Sequence, residues 1–274
     1  MEQMQYLFLL HIKKAKTIKK ENDKKEKDEN EPFTVLLLGM DSTIKDISTV
    51  TSFNADSIML ITFNPKTYNA TILSVPRDTY VPIGCLKGLP KSKITHSGWN
   101  GESCVIKTIN KWMDIDVDYY VKVNFTALVS LVDSIGGIEV DVPYSFCEQN
   151  SNREWGENTV YVKKGIQTLN GEQALALSRN RHPNPGMCSA EWTNYYSDDI
   201  IRGQNQQLVI NALINKIVKN LSLDKIYSII EAIDTNVDTN MQIDKITSYY
   251  NVAKELALKT LNNNDNLINF ERLH

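Results

Sequence analysis

The chain alternates strand-like and helix-like hydrophobic runs from Phe33 onward. Val35–Leu38 is a short apolar run stopped by Gly39, the pattern of a buried strand. Ser57–Phe63 and Ala70–Val75 are two further strand runs, joined by the turn Asn64-Pro65-Lys66-Thr67. Over residues 101–113, Val105, Ile109, Trp112 and Met113 recur at helical spacing and predict an amphipathic helix. Tyr119–Val123 reads as a strand. Asn124 is placed to cap a helix with Phe125, Leu128, Val129 and Val132 on one face. Gly136-Gly137 ends that helix, and Ile138–Val142 alternates as a strand up to Pro143. A short helix is predicted over 171–178, and a long one over 199–219 with Leu208, Ala212, Leu213 and Ile217 as its core stripe. Two amphipathic helices follow, over 222–233 and 243–258. Strands interleaved with helices predict an α/β sandwich on one mixed sheet. The connections over 85–100 and 143–165 are long, as functional or cross-linked loops are.

The first 32 residues follow a different pattern. Met4–Ile12 reads MQYLFLLHI, far shorter than the roughly 20 residues of a membrane span. Glu2 stands where a signal peptide carries positive charge. Lys13, Lys14, Lys16, Lys19 and Lys20 follow the run, which favours a cytoplasmic side for the chain after it. The segment reads as a short apolar leader or a truncated anchor. Residues 13–32 are nearly all Lys, Glu, Asp and Asn, a solvated linker that buries no core. Three segments result: a leader and linker over 1–32, a main domain over 33–220, and C-terminal helices over 221–274 packed on the same domain.

Composition narrows the chemistry. Net charge is -3, which disfavours general nucleic-acid binding. Any basic patch must be local. The four cysteines, Cys85, Cys104, Cys147 and Cys188, contain no Cys-x-x-Cys pair, so a zinc site is poorly supported. They leave a choice between four thiols and two disulfides. The pairing Cys85–Cys104 with Cys147–Cys188 closes the two long loops and places the chain in an oxidising compartment, against the lysine run.

Within this acidic chain a few short segments concentrate charge: Leu38-Gly39-Met40-Asp41, Asn54-Ala55-Asp56, Val75-Pro76-Arg77-Asp78, Ser178-Arg179-Asn180-Arg181 and Asp199 to Gln206. A guanidinium binds phosphate oxygens bidentately and stays charged, so gathered arginines imply an anionic ligand. Any one of them alone is ordinarily a surface ion pair. Arg179 and Arg181, two apart, share a side if extended. Asp199, Arg202 and Gln206 share a helix face at i, i+3 and i+7. Asp41 and Asp56, at strand ends, are candidates for a Mg2+ site, since Mg2+ takes few protein carboxylates and keeps water and phosphate oxygens. Taken singly, each aspartate more commonly caps a turn.

In order along the chain, Leu38-Gly39-Met40-Asp41, Ser74-Val75-Pro76-Arg77-Asp78, Lys93-Ile94-Thr95, Asp118-Tyr119-Tyr120-Val121, Val132-Asp133-Ser134-Ile135-Gly136-Gly137-Ile138 and Arg179-Asn180-Arg181 resemble the motifs of the LytR-CpsA-Psr family of cell-wall enzymes. The resemblance runs from about Thr34 to Lys219. It implies a three-layer α-β-α sandwich with a central mixed sheet. It also implies an extracytoplasmic, membrane-anchored transferase that moves a teichoic-acid-type or capsular glycopolymer from a polyprenyl-pyrophosphate carrier onto peptidoglycan. A hydrolase acting on the carrier lipid, and a non-catalytic binding protein, are the alternatives. By resemblance Asp41 and Asp56 hold Mg2+; Arg77, Lys93, Arg179, Arg181, Arg202 and Gln206 contact the pyrophosphate; and Asp199 with Arg202 serves the acceptor step. The implied partners are the lipid-linked glycan, peptidoglycan and the membrane surface. Two positions depart from the family pattern, Asn54 and Asn205, each standing where the family has arginine.

Overall fold

Alternation in the first strand sets the architecture. The structure, a computed structural model, describes residues 31–42, 44, 46–181, 186–189, 199–219, 222–249 and 268–272. In β1 (Phe33–Gly39), Leu36 and Leu38 point to one face and are fully buried. They meet Leu60 and Ile58 of β2 (Ser57–Asn64) across an antiparallel register, and β2 pairs in turn with antiparallel β3 (Asn69–Val75). That face is covered by α1 (Glu102–Met113) through Val105 and Ile109, with Trp112 and Met113 packed alongside. The opposite face is covered too, since Met59 and Ile72 are buried on it.

On the other side of β1 lies β6 (Tyr119–Val123), in parallel register. The C-terminal segment completes the sheet: β11 (Val237–Thr239) pairs antiparallel with β6, and β12 (Ile268–Arg272) pairs parallel with β3. The sheet is six-stranded and mixed, ordered β11-β6-β1-β2-β3-β12. The stretch 221–274, expected as helices, thus also supplies both edges. These strands are short, and a run such as Val-Asp-Thr has too few residues for alternation to show. Helices α5 (Leu223–Ile233) and α6 (Ile243–Ser248) accompany them. The helix expected over 243–258 runs beyond residue 249, outside the described residues, as do the leader and residues 13–30 of the linker. No helix among the described residues is long and apolar enough to cross a membrane.

A second core stands beside the sheet. Asn124 caps α2 (Phe125–Ser134), accepting from the Ala127 N–H at 2.8 Å. Gly136 and Gly137 end it at φ of 74° and 83°, a left-handed backbone that a side chain disfavours. The next strand, β7 (Ile138–Val142), does not join the main sheet but pairs with β10 (Gly165–Leu169). Its Ile138, Val140 and Val142 pack with Val132 of α2, Leu177 of α3 (Gly171–Arg179) and Val209 and Leu213 of α4 (Asp199–Lys219). Gly171 lets α3 approach α2 closely, since a Cβ there would sit 2.4 Å from the Val129 carbonyl oxygen. The core stripe of α4 includes Ala212 and Leu213 as expected, but Leu208 is exposed and Val209 is buried in its stead. The inward row is 201, 205, 209 and 213, and its polar member, Asn205, hides it from a hydrophobic pattern.

Both long connections are cross-linked. The first carries β4 (Tyr80–Pro82) paired with β5 (Lys91–Lys93), and Cys85 is bonded to Cys104 in the first turn of α1. The second carries β8 (Phe146–Glu148) paired with β9 (Val160–Val162), and Cys147 is bonded to Cys188. The Cα separations, 5.0 and 6.3 Å, lie within the span of a disulfide. Replacing Cys85 and Cys104 together with alanine should cost about 2–4 kcal/mol, by freeing the unfolded chain. Urea unfolding of the two proteins measures this, and equal midpoints at equal slope would contradict it.

Candidate active site

Asp56 sits where two strands and a turn meet. Its own N–H donates to the Gly39 carbonyl at 2.9 Å, joining the start of β2 to the end of β1. Its Oδ2 accepts from the Asp41 N–H at 3.3 Å. Its Oδ1 accepts from Arg77 at 2.5 Å. Arg77 follows β3 in a turn held by Thr79, whose N–H and hydroxyl both donate to the Pro76 carbonyl. Three segments far apart in sequence are thereby drawn to one point. Gly39 permits the approach, because a Cβ there would lie 2.9 Å from that of Ser57.

Helix α4 forms the facing wall. Gln206 accepts from the Ser57 hydroxyl and donates to the Ser178 carbonyl, each at 3.3 Å. It therefore links the start of β2 to the end of α3. Asp56, Ser57, Ile58, Val75, Arg77, Arg202 and Gln206 line an open cleft. Arg202 and Gln206 both reach it, as the shared helix face predicts. The backbone of Asp199 opens the same helix; its side chain lies outside what is described. The Nε of Arg77 is buried with no hydrogen-bond partner among the described residues. A buried unsatisfied donor is costly, so the Arg77 guanidinium is held at the cleft against a desolvation penalty.

The pair Arg179 and Arg181 does not lie on an extended segment. Arg179 is the last residue of α3. Its guanidinium stacks 4.5 Å from the Phe125 ring centre and donates to the Asn150 carbonyl at 3.1 Å. Burial pushes its pKa down; the charges of Glu148 and Asp41 oppose this. Its packing gives it a structural share beyond any ligand contact. Arg181 acts electrostatically on Asp78 instead. Lys93 bridges to Asp78 at 3.0 Å, on the segment whose Thr95 N–H donates to the Arg77 carbonyl.

Asn205 is 1% exposed and donates to the Tyr144 hydroxyl at 2.6 Å, so it belongs to the second core and not to the cleft. Asn54 is exposed and accepts from the indole N–H of Trp99 at 2.9 Å. Arg153, absent from every motif above, pairs with the Asp41 carboxylate and donates to its carbonyl at 3.0 Å. It lies in the 143–165 connection at φ 64°, and only the length of that loop marked the region. Lys122, the fourth of the five residues of β6, is 1% exposed and bridges Asp238 at 2.8 Å and Glu102 at 3.4 Å. It also donates to the Val50 carbonyl, pinning the loop between Asp41 and Asp56 to the sheet. An isolated lysine in a strand run carries no sequence sign of that task.

A mixed sheet whose strand ends and facing helix surround an arginine-lined, carboxylate-bearing cleft defines an α/β domain. The chain matches the LytR_cpsA_psr family over residues 5–269 and belongs to it. It is 32% identical over 267 residues to a Bacillus licheniformis protein named polyisoprenyl-teichoic acid–peptidoglycan teichoic acid transferase TagU, covering 93% of this chain and 78% of that protein. It is 34% identical over 212 residues to the Bacillus subtilis transferase TagT, covering 77% of this chain but only 61% of TagT. A solved structure described as TagT bound to LI-WTA superposes with a TM-score of 0.63 at 27% identity, covering 91% of this chain and 81% of that one. The expected sandwich on a mixed sheet agrees with these structures.

The ion pair with Lys93 holds the Asp78 carboxyl below its ordinary value, with Arg77 and Arg181 assisting and burial opposing. Because the folded pKa is depressed, the pair stabilises the fold above the ordinary carboxylate range. That contribution is lost as pH falls through the folded value. Lys93→Met should move the Asp78 titration upward, read from its side-chain carboxyl carbon by NMR. An unmoved titration would show that Lys93 does not act on Asp78.

Proposed function

We propose that this chain is a phosphotransferase that attaches a glycopolymer, carried on a polyprenyl pyrophosphate, to peptidoglycan on the outer side of the membrane. The observation that carries the reading is the cleft that Arg77, Arg202 and Gln206 line beside Asp56. The names of TagU and TagT, and the similarity to TagT in its complex with LI-WTA, support the same reaction class. The two disulfides support an oxidising compartment.

Phosphoryl transfer asks a protein for position and charge neutralisation more than for covalent chemistry. In the proposed reaction an acceptor hydroxyl oxygen bonds to the sugar-bearing phosphorus. The pyrophosphate P–O bond breaks, and polyprenyl phosphate leaves with the electron pair. Arg77 and Arg202 flank the phosphates, and Arg181 adds positive charge from the Asp78 side. Gln206 holds the two walls in register through Ser57 and Ser178. Asp199, one turn before Arg202, is the proposed acceptor of the hydroxyl proton.

The Asp41 and Asp56 oxygens suit a hard cation, and the Asp41 N–H bond to Asp56 keeps the two residues adjacent. Mg2+, when bound there, would supply further neutralisation of phosphate oxygens. Both carboxylates already pair with arginines, Arg153 and Arg77, so a cation would share them.

A polyprenyl-pyrophosphate glycan, offered with and without peptidoglycan, tests the reading. Phosphodiester-linked product that appears only with peptidoglycan is the expected result. Equal release of polyprenyl phosphate without it would make the chain a hydrolase, and binding without turnover a carrier-binding protein. Arg77→Ala should weaken lipid-pyrophosphate affinity roughly 10- to 150-fold, the loss of one charge-assisted contact.

A further inference from the structure

Trp99 is an aromatic side chain that the transfer chemistry above does not use. It is 55% exposed, yet it is held on two sides. Its ring lies over His96 in a stacked arrangement, with centroids 4.1 Å apart and planes 19° from parallel. Its indole N–H donates to the Asn54 side chain at 2.9 Å. Indole nitrogen is a donor only, so the Asn54 atom that meets it is the carbonyl oxygen. The amide's N–H donors stay available at an exposed position. His96 is itself anchored, its Nδ1 lying 2.8 Å from the Ser92 hydroxyl.

The support beneath this group is rigid. Gly98 lies so close to Phe53 that a Cβ there would be 2.5 Å from the Phe53 carbonyl oxygen, and the Phe53 N–H donates to the Gly98 carbonyl. The platform is also coupled to the cleft. Asn54 is two residues before Asp56, and the Thr95 N–H, next to His96, donates to the Arg77 carbonyl at 3.1 Å. Single exposed apolar residues are ordinary on protein surfaces. A large aromatic plane fixed by a stack and a hydrogen bond, joined to both Asp56 and Arg77, offers binding area that loses little entropy on use.

We propose that Trp99 is a stacking platform for a pyranose ring, with Asn54 donating to a ring hydroxyl. A pyranose has one face of C–H groups, which suits an indole plane, and an equator of hydroxyls, which suits a carboxamide. The acidic chain and polar neighbours Ser92, His96 and Asn54 disfavour a nucleobase or a lipid tail. The proposal rests on the transferase reading for the presence of sugar beside the cleft. That sugar belongs either to the lipid-linked donor or to the peptidoglycan acceptor.

Three ligands separate these cases: uncross-linked peptidoglycan glycan strands, a polyprenyl pyrophosphate bearing one N-acetylhexosamine, and sugar-free polyprenyl pyrophosphate. Affinities are measured for the wild-type protein, Trp99→Ala, Trp99→Phe and Asn54→Ala, with melting temperatures recorded alongside. Trp99→Ala should weaken one of the two sugar-bearing ligands about three- to tenfold and leave the sugar-free lipid unchanged. Trp99→Phe, which keeps a smaller ring, should fall between. Loss confined to the glycan strands assigns the platform to the acceptor, and loss confined to the sugar-bearing lipid assigns it to the donor. Unchanged affinity for both would overturn the proposal, as would an equal loss for the sugar-free lipid. A wild-type protein that ignores sugar-free polyprenyl pyrophosphate counts against the transferase reading alone, and the glycan-strand arm then decides the platform by itself.

Discussion

One carboxylate holds the site together. Asp56 takes Arg77 on one oxygen and the Asp41 N–H on the other, while its own N–H closes on Gly39. Removing it would leave Arg77 without its 2.5 Å partner and would free the start of β2 from the Asp41 backbone. The central sheet makes this possible, because the β1–β2 register sets Gly39 opposite Ser57, immediately after Asp56. Hydrophobic alternation thus decides where a charge can be held.

The second constraint is electrostatic. The chain is acidic, with net charge -3, yet Arg77 and Arg202 line one cleft and Arg153 pairs with Asp41. Several are held by packing as well as by charge: Arg179 over Phe125, Arg77 with a buried Nε. Partly desolvated guanidiniums lose little to solvent screening and bind anions more strongly than exposed ones do. Lys122 serves the same end from the core side. Its ammonium, fully buried between Asp238 and Glu102, fixes the loop that leads into Asp56. A buried ion pair of this kind is weak evidence for stability, since desolvation offsets the Coulomb gain. Its value here is positional.

Much of the architecture was legible because the strands and helices carry clean periods. β1, β2, β3, β6, α1 and α2 appear where alternation, Asn124 and Gly136-Gly137 place them. The edge strand β11 was not legible, since three residues are too few to show a period, whereas β12 does alternate over Ile268-Asn269-Phe270-Glu271 but stands in a stretch read as helices. The α4 stripe holds at Ala212 and Leu213 but fails at Leu208, because Asn205, a buried polar residue bonded to Tyr144, interrupts the apolar row. At the site, motif spacing brought Asp56, Arg77, Arg202 and Gln206 to one cleft. It read Arg179 and Arg181 as they would lie on an extended segment, whereas α3 extends through Arg179. It could not foresee Arg153 on Asp41 or Asn54 on Trp99, which are contacts made across the fold by loop residues.

The central claim is that Asp56 and Arg77 act on an anionic ligand as one unit. A double-mutant cycle with Asp56→Ala, Arg77→Ala and the combined protein, read as affinity for sugar-free polyprenyl pyrophosphate, measures it directly. Residues in contact that share one role show coupling of about 0.5–3 kcal/mol. The combined protein should therefore bind little worse than the weaker single variant. Losses that add in full would show that Arg77 binds without Asp56 to aim it, and would contradict the claim.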